Sequence, residues 1–195
     1  MHKLLATTSL LAAAILAAPT LRAEAHVYEI DTVHSTVGFK VRHLLSKVGG
    51  SFATFSGTIK LHEDDLSKSY AEASIDITTI DTNNSDRDKH LQQDDYFNTS
   101  AHPTMTFKST KWEAVKDKAG FYKVHGDLSM NGQTHPVTFT AEFVGKREHP
   151  QKKVPIVAFS ATGEIDRSQW GVSGGQGVVG NDVDFEIDVV AHQKK

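Results

Sequence analysis

The sequence predicts an all-β domain of about eight antiparallel strands with one short helix. Three observations carry that expectation. Apolar residues alternate with polar ones at a period of two along most of the chain, which marks strands buried on one face. Turn-forming residues fall between these runs. The apolar content is low: of 195 residues 38% are hydrophobic, and setting aside the sixteen hydrophobic residues of the first 25 leaves roughly 34%, less than a two-sided α/β core carries. A chain of this length holds one or at most two ordinary domains, and no composition shift divides it after residue 25.

The first element is not part of the domain. Met1-His2-Lys3, an apolar run from Leu4 to Ala18, then Pro19 and the small-residue exit Ala23-Glu24-Ala25 follow the order of a cleaved secretory signal. About 15 apolar residues fall short of the roughly 20 that span a bilayer, so no stable membrane anchor is expected. Residues 1–25 are therefore expected to be removed near Ala25, leaving an exported domain over 26–195. Strand runs follow at Val37–Val41, Phe55–Leu61, Ala71–Ile77, Met105–Trp112, Val124–Met130, Val137–Phe143, Val157–Ile165 and Val183–Val189. Turns are expected at Gly49-Gly50, Asp64-Asp65, Lys118 to Gly120 and Asn131-Gly132. The last favours positive φ at both residues of a type I′ turn, and so an antiparallel pair on either side of it. The segment Asn84 to Phe97 lacks alternation, and Ser85 with Asp88 resembles a capping box opening a short helix. His102-Pro103 then enforces extended backbone before the next strand. Eight such strands joined by short turns hide their edges by closing into a barrel or folding into a sandwich.

Composition removes several functions. Removing Lys3, Arg22 and Glu24 leaves 19 basic against 23 acidic residues, a net charge near −4, and nucleic acid is not an expected partner. The chain has no cysteine, so disulfides, thiolate metal sites and cysteine nucleophiles are excluded. Gly175-Gln176-Gly177-Val178-Val179-Gly180 spells the dinucleotide fingerprint, but the alternating strand that follows stands where a helix is required; a loop closing one end of the barrel is the better reading. Ten histidines follow residue 25, none at metal-motif spacing. A site assembled in space, for instance from His34, His43 and His90 with Asp94 or Asp95, stays open, while no metal and no catalytic residue is assigned. There is no nucleophile elbow. What remains is the apolar interior, where phenylalanines mix with Ala71, Ala73, Gly126, Ala141, Ala161 and Gly163. That mixture suits either a solid core or a channel for one slender ligand.

Four ordered motifs carry a family resemblance. Ile30-Asp31-Thr32-Val33-His34-Ser35-Thr36-Val37-Gly38-Phe39-Lys40-Val41-Arg42-His43 resembles the opening of the YceI-like family of bacterial periplasmic proteins. Arg87-Asp88-Lys89-His90-Leu91 with Asp95-Tyr96-Phe97 and His102-Pro103 is similar to its central signature, Gly126 to Val137 to its later hairpin, and Arg167-Ser168-Gln169-Trp170-Gly171 to its motif before the last strand.

The resemblance implies an extended lipocalin-like eight-stranded antiparallel barrel in the periplasm. It also implies a long isoprenoid, a polyprenyl phosphate or a ubiquinone-type quinone, bound in an apolar tunnel without a further cofactor. The tail would lie against Phe39, Ile75, Ile77, Phe107, Leu128, Met130, Phe139, Phe143, Phe159, Trp170 and Phe185. Head-group donors carried by the matching motifs are Arg42, His43, Arg87, His90 and Arg167, with ion pairs to Asp88 and Asp166 as the competing reading for the last two arginines. A metal-binding module and a lipid-acting hydrolase or isomerase are the rival functions, and a homodimer stays open.

Overall fold

The structure, a computed structural model, describes residues 25–194. The export signal expected over residues 1–25 lies outside them apart from Ala25. Eleven strands form one sheet: β1 (His26–Ile30), β2 (Thr36–His43), β3 (Ser46–Phe52), β4 (Phe55–Leu61), β5 (Tyr70–Asp76), β6 (Ile80–Asp81), β7 (Thr104–Ala114), β8 (Phe121–Met130), β9 (Gln133–Glu148), β10 (Pro155–Asp166) and β11 (Val179–Gln193), with the helix α1 (Ser85–Leu91) between β6 and β7. Strands β1, β4, β5, β7, β8, β9, β10 and β11 pair antiparallel in that order, and β11 pairs back onto β1, so eight strands close a barrel.

The three remaining strands lengthen it. β11 meets β1 at Ala191 and β2 at Asp188, so β1 and β2 are two halves of one barrel strand bent at residues 31–35. β3 and β4 are the halves of the next, since β3 pairs with β2 and β4 with β1. At this extended end, here called the mouth, β6 ladders onto β3. Between β6 and β7 the wall is made by α1 and the segment running to Pro103, whose carbonyl accepts from the backbone of Ile77.

The expected strands are all present. Asn131 and Gly132 take φ of 48° and 72° and join Met130 to its partner Gln133 as a two-residue turn, as Asn-Gly requires. Three local expectations are corrected. Gly49 and Gly50 lie inside β3, and the hairpin turns instead at Leu44-Leu45, with φ of +50° at Leu44. Gly50 is needed for a different reason: it faces Phe39 across the ladder, and a Cβ there would sit 2.5 Å from the Phe39 ring. The helix is capped one residue earlier than the capping-box reading. The Asn84 side chain accepts from Arg87 N, while Asp88 accepts from Thr82 N at 2.9 Å. Finally, β5 ends at Asp76, and Ile77 opens a 3-10 turn in which it is fully buried.

Alternation sends one set of side chains inward. They form two clusters: one at the mouth end around Phe52, Met105, Met130, Phe139 and Phe185, the other at the far end around Tyr28, Leu61, Trp112, Val157 and Phe159. The far end is filled by Tyr28, Leu61, Val157 and Ala191, each at most 1% exposed. There the Tyr28 hydroxyl donates to Glu63 at 2.8 Å, and Lys146 donates to the same carboxylate. Burial and the neighbouring Glu63 push the Tyr28 phenol well above its ordinary range, so it stays a neutral donor.

Candidate functional site

Between the two clusters the barrel is not filled. A lumen of about 140 Å³ is walled by Ile59, Ala71, Ala73, Ile75, Phe107, Trp112, Leu128, Phe139, Phe159, Ala161, Phe185 and Ile187, among others. Its rings meet edge to face: Phe107 on Phe139 at 5.4 Å between centroids and Trp112 on Phe159 at 5.6 Å, an arrangement that adds to area burial. Toward the mouth the lumen shares Met105 and Phe185 with a second apolar cavity of about 60 Å³ lined also by Phe39, Phe97, Met130 and Val172. This in turn shares Phe39, Val41, Leu91, Tyr96 and Val179 with a third, of about 150 Å³. The three lie in series from the barrel centre to its mouth.

Chemistry changes at the third cavity. Beside its apolar residues it is lined by His43, Thr82, Arg87 and His90. His43 ends β2, and Arg87 and His90 stand on α1 at the helical spacing of three that puts them on one side. Thr82 orients the arginine: Arg87 Nε donates to its hydroxyl at 2.7 Å and Nη2 to its carbonyl at 2.6 Å. Nη1 has no hydrogen-bond partner among the described residues. The His90 ring stands edge-on to Tyr96 at 5.0 Å, with Nε2 3.7 Å from the Asp95 carboxylate. The result is an apolar passage whose outer rim offers one guanidinium and two imidazoles.

The residues singled out from sequence divide by depth. Phe39, Ile75, Phe107, Leu128, Met130, Phe139, Phe159 and Phe185 line the three cavities. Ile77, Phe143 and Trp170 do not: Ile77 and Trp170 are packed into the mouth-end cluster, and Phe143 stacks behind Phe159 at 5.2 Å. Trp170 is an anchor, its Nε1 donating to the Leu128 carbonyl at 3.0 Å. Of the five head-group candidates, His43, Arg87 and His90 meet at the rim. Arg42 alternates with His43 on β2 and lies exposed on the outer face. Arg167, only 5% exposed, donates to the carbonyls of Gly180, Val172 and Val179. It ties the loop before β11 to the barrel, and burial pulls its pKa below the ordinary arginine value. Neither Arg87 nor Arg167 pairs with the aspartate beside it in sequence; Asp166 accepts from Ser168 N instead.

Lining residues that the sequence reading did not name as ligand contacts include Leu91, Tyr96 and Phe97, which lie in the central motif around α1, and Met105 and Trp112, which lie in a recognised strand run. His34, His43 and His90 do not converge on one site. His34 Nδ1 lies 2.9 Å and His192 Nε2 3.0 Å from the same Asp31 oxygen, far along the chain fold from His43 and His90 at the mouth. Burial favours a raised Asp31 pKa, but the hydrogen bond with His34 and the nearby imidazoles outweigh it and hold the carboxyl below its ordinary range. Among the described residues no group of three or more His, Asp or Glu is arranged to hold a metal ion, and no helix is long and apolar enough to cross a membrane.

Known proteins resemble this chain over most of its length. A family model described as a YceI-like domain matches residues 28–191. A UPF0312 protein of Vibrio parahaemolyticus is 41% identical over 141 residues, covering 70% of this chain and 73% of that protein. The crystal structure of the Campylobacter jejuni YCEI protein is 31% identical, with a TM-score of 0.68 over 85% of this chain and 96% of that one. A polyisoprenoid-binding domain from Saccharophagus degradans shares the fold at 14% identity, with a TM-score of 0.63 over 86% of this chain and 98% of that chain.

Proposed function

The chain belongs to the YceI-like family, and on that premise we propose that it is a periplasmic carrier of a long isoprenoid amphiphile, a polyprenyl phosphate or a ubiquinone-type quinone, and not an enzyme. The observation that carries this reading is the series of apolar cavities ending at a rim of His43, Arg87 and His90. At about 10–15 Å³ per water-sized occupant, the central lumen takes on the order of ten heavy atoms, about two isoprene units. Burying ten carbons contributes about 8 kcal/mol, at about 0.8 kcal/mol for each, from which the costs of association are subtracted. A longer tail continues through the two outer cavities, and each further prenyl unit tightens binding. The head then lies at the rim, where the free Arg87 Nη1 and the two imidazoles suit an anionic or carbonyl oxygen. The fold shared with a polyisoprenoid-binding domain supports the same ligand class, and the signal-like order of residues 1–25 supports export.

The test is mass spectrometry of a lipid extract from the protein purified out of its native host. An isoprenoid in near-stoichiometric amount is expected; a protein that carries none, and takes up none when offered it, is not such a carrier. Arg87→Gln should weaken a polyprenyl phosphate several-fold more than the corresponding unphosphorylated polyprenol.

A further inference from the structure

We propose that the hairpin tip between β2 and β3 is a docking element for an anionic phospholipid surface, which it meets with the tunnel mouth. Two-residue hairpin turns normally hold Asn, Asp or Gly, because they require positive φ. Here the turn is Leu44-Leu45, with Leu44 at φ +50°, 59% and 98% exposed. Neither folding nor turn chemistry accounts for two leucines placed there. Val178, 43% exposed, lies beside them, its carbonyl accepting from Leu44 N at 2.8 Å. The other large exposed apolar residues among those described, Val27, Val33 and Val144, lie on separate elements, as is ordinary on a protein surface. These three form a cluster.

The charges around the cluster select its partner. Arg42 and Lys47 face each other across the hairpin on its outer face, Lys47 reaching Asp184. The two segments that build the tip, residues 42–48 and 172–180, contain no acidic residue. Asp86, Asp94 and Asp95 stand on α1 and the loop after it, across the mouth from the hairpin. Apolar side chains at a tip, with Arg42 beside them as a cation held in no ion pair among the described residues, match the apolar interior and anionic headgroups of a membrane surface. They do not match a second copy of the chain. A two-fold pairing would set Arg42 and Lys47 against their own equivalents, and three side chains supply far less than the roughly 800 Å² per partner of a stable dimer.

Position supplies the consequence. His43 and Val48, flanking the turn, and Val179, next to Val178, all line the mouth cavity. Inserting the tip therefore brings the tunnel entrance to the bilayer surface, where an amphiphile could pass between the two without crossing water. The docking itself does not depend on the identity of the cargo.

Vesicle flotation tests it, with isoprenoid-free vesicles of phosphatidylglycerol and phosphatidylethanolamine against vesicles of phosphatidylcholine alone, at low salt. The protein should float with the anionic vesicles and detach as salt rises. L44S/L45S should lower partitioning on the order of tenfold, and R42E, which leaves the Lys47–Asp184 pair in place, should abolish the preference for phosphatidylglycerol, both with unchanged circular dichroism and melting temperature. The proposal is overturned if the protein does not float, if L44S/L45S floats equally well, or if sedimentation finds a dimer that the same substitution dissociates. Because the vesicles lack isoprenoid, a protein that docks but carries no isoprenoid upholds this proposal while refuting the carrier reading.

Discussion

Filling the lumen from within should remove tail binding while leaving the barrel standing. Ala73 on β5 and Ala161 on β10 both line the central cavity, and neither is fully buried although both pack against the surrounding clusters. Replacing both by leucine adds about six carbons to a lumen that takes on the order of ten, so more than half of its room is consumed. Six tail carbons excluded from that space forfeit about 5 kcal/mol at 0.8 kcal/mol each, more than three orders of magnitude in affinity. Partial rearrangement of the leucines reduces the loss, and at least a hundredfold is expected. The folded state responds differently: the new methylenes are buried too, and their gain offsets an overpacking cost of about 1–3 kcal/mol, so the melting temperature should move little. Trp112 lines the same lumen, so quenching of its fluorescence by a short-tailed ubiquinone-type quinone reports occupancy directly. A folded A73L/A161L protein that binds the quinone as tightly as the parent would refute the lumen as the tail site.

Three further outcomes follow from local geometry. Arg167→Met leaves one buried and two partly buried carbonyls without their donor and should cost about 2–3 kcal/mol, read as a lower urea midpoint; an unchanged midpoint would show that the loop before β11 does not depend on that side chain. Gly126→Ala should destabilise by about 1–3 kcal/mol, because its Cβ would lie 2.5 Å from both the Lys108 carbonyl and the Phe107 ring; a melting temperature equal to the parent's contradicts the close approach. Burial, with nearby Lys152, pushes the His192 imidazole below its ordinary value despite Asp31, so the unfolded chain takes up that proton first. The stability contributed by neutral His192 is complete above about pH 6.5 and drains away as pH falls below it. His192→Gln should accordingly flatten the fall in melting temperature between pH 7 and pH 5, and an equally steep fall would remove His192 as its cause.

What could be read from residues follows from how far each physical rule reaches. Period-two alternation is imposed by the pleat, so it located the inward faces of β2, β5 and β7 to β11 and, with them, Phe39, Phe107, Phe139 and Phe185. It carries no information about depth: Phe143 and Phe159 lie on facing sides of one ladder, yet one lines the lumen and the other packs behind it. The Gly49-Gly50 expectation failed because glycine serves both turns and close approach, and only the ring of Phe39 across the strand distinguishes them. Arg87 and Arg167 have the same chemistry in the sequence; one is held half free by Thr82 at the rim, and the other is spent on three carbonyls.

The sequence alone determined an all-β chain, the positions of eight of its strands, the Asn131-Gly132 turn and the place of the one α-helix among the described residues, because these depend on contacts between near neighbours and on a period that any segment displays. Tertiary structure alone decided that eight strands close with room left between two packed clusters, that the irregular segment around α1 supplies Leu91 and Tyr96 to the passage, and that Leu44 and Leu45 stand at its rim. Those outcomes depend on side chains distant in sequence sharing one volume, and the filling of a volume is not a property of any single segment.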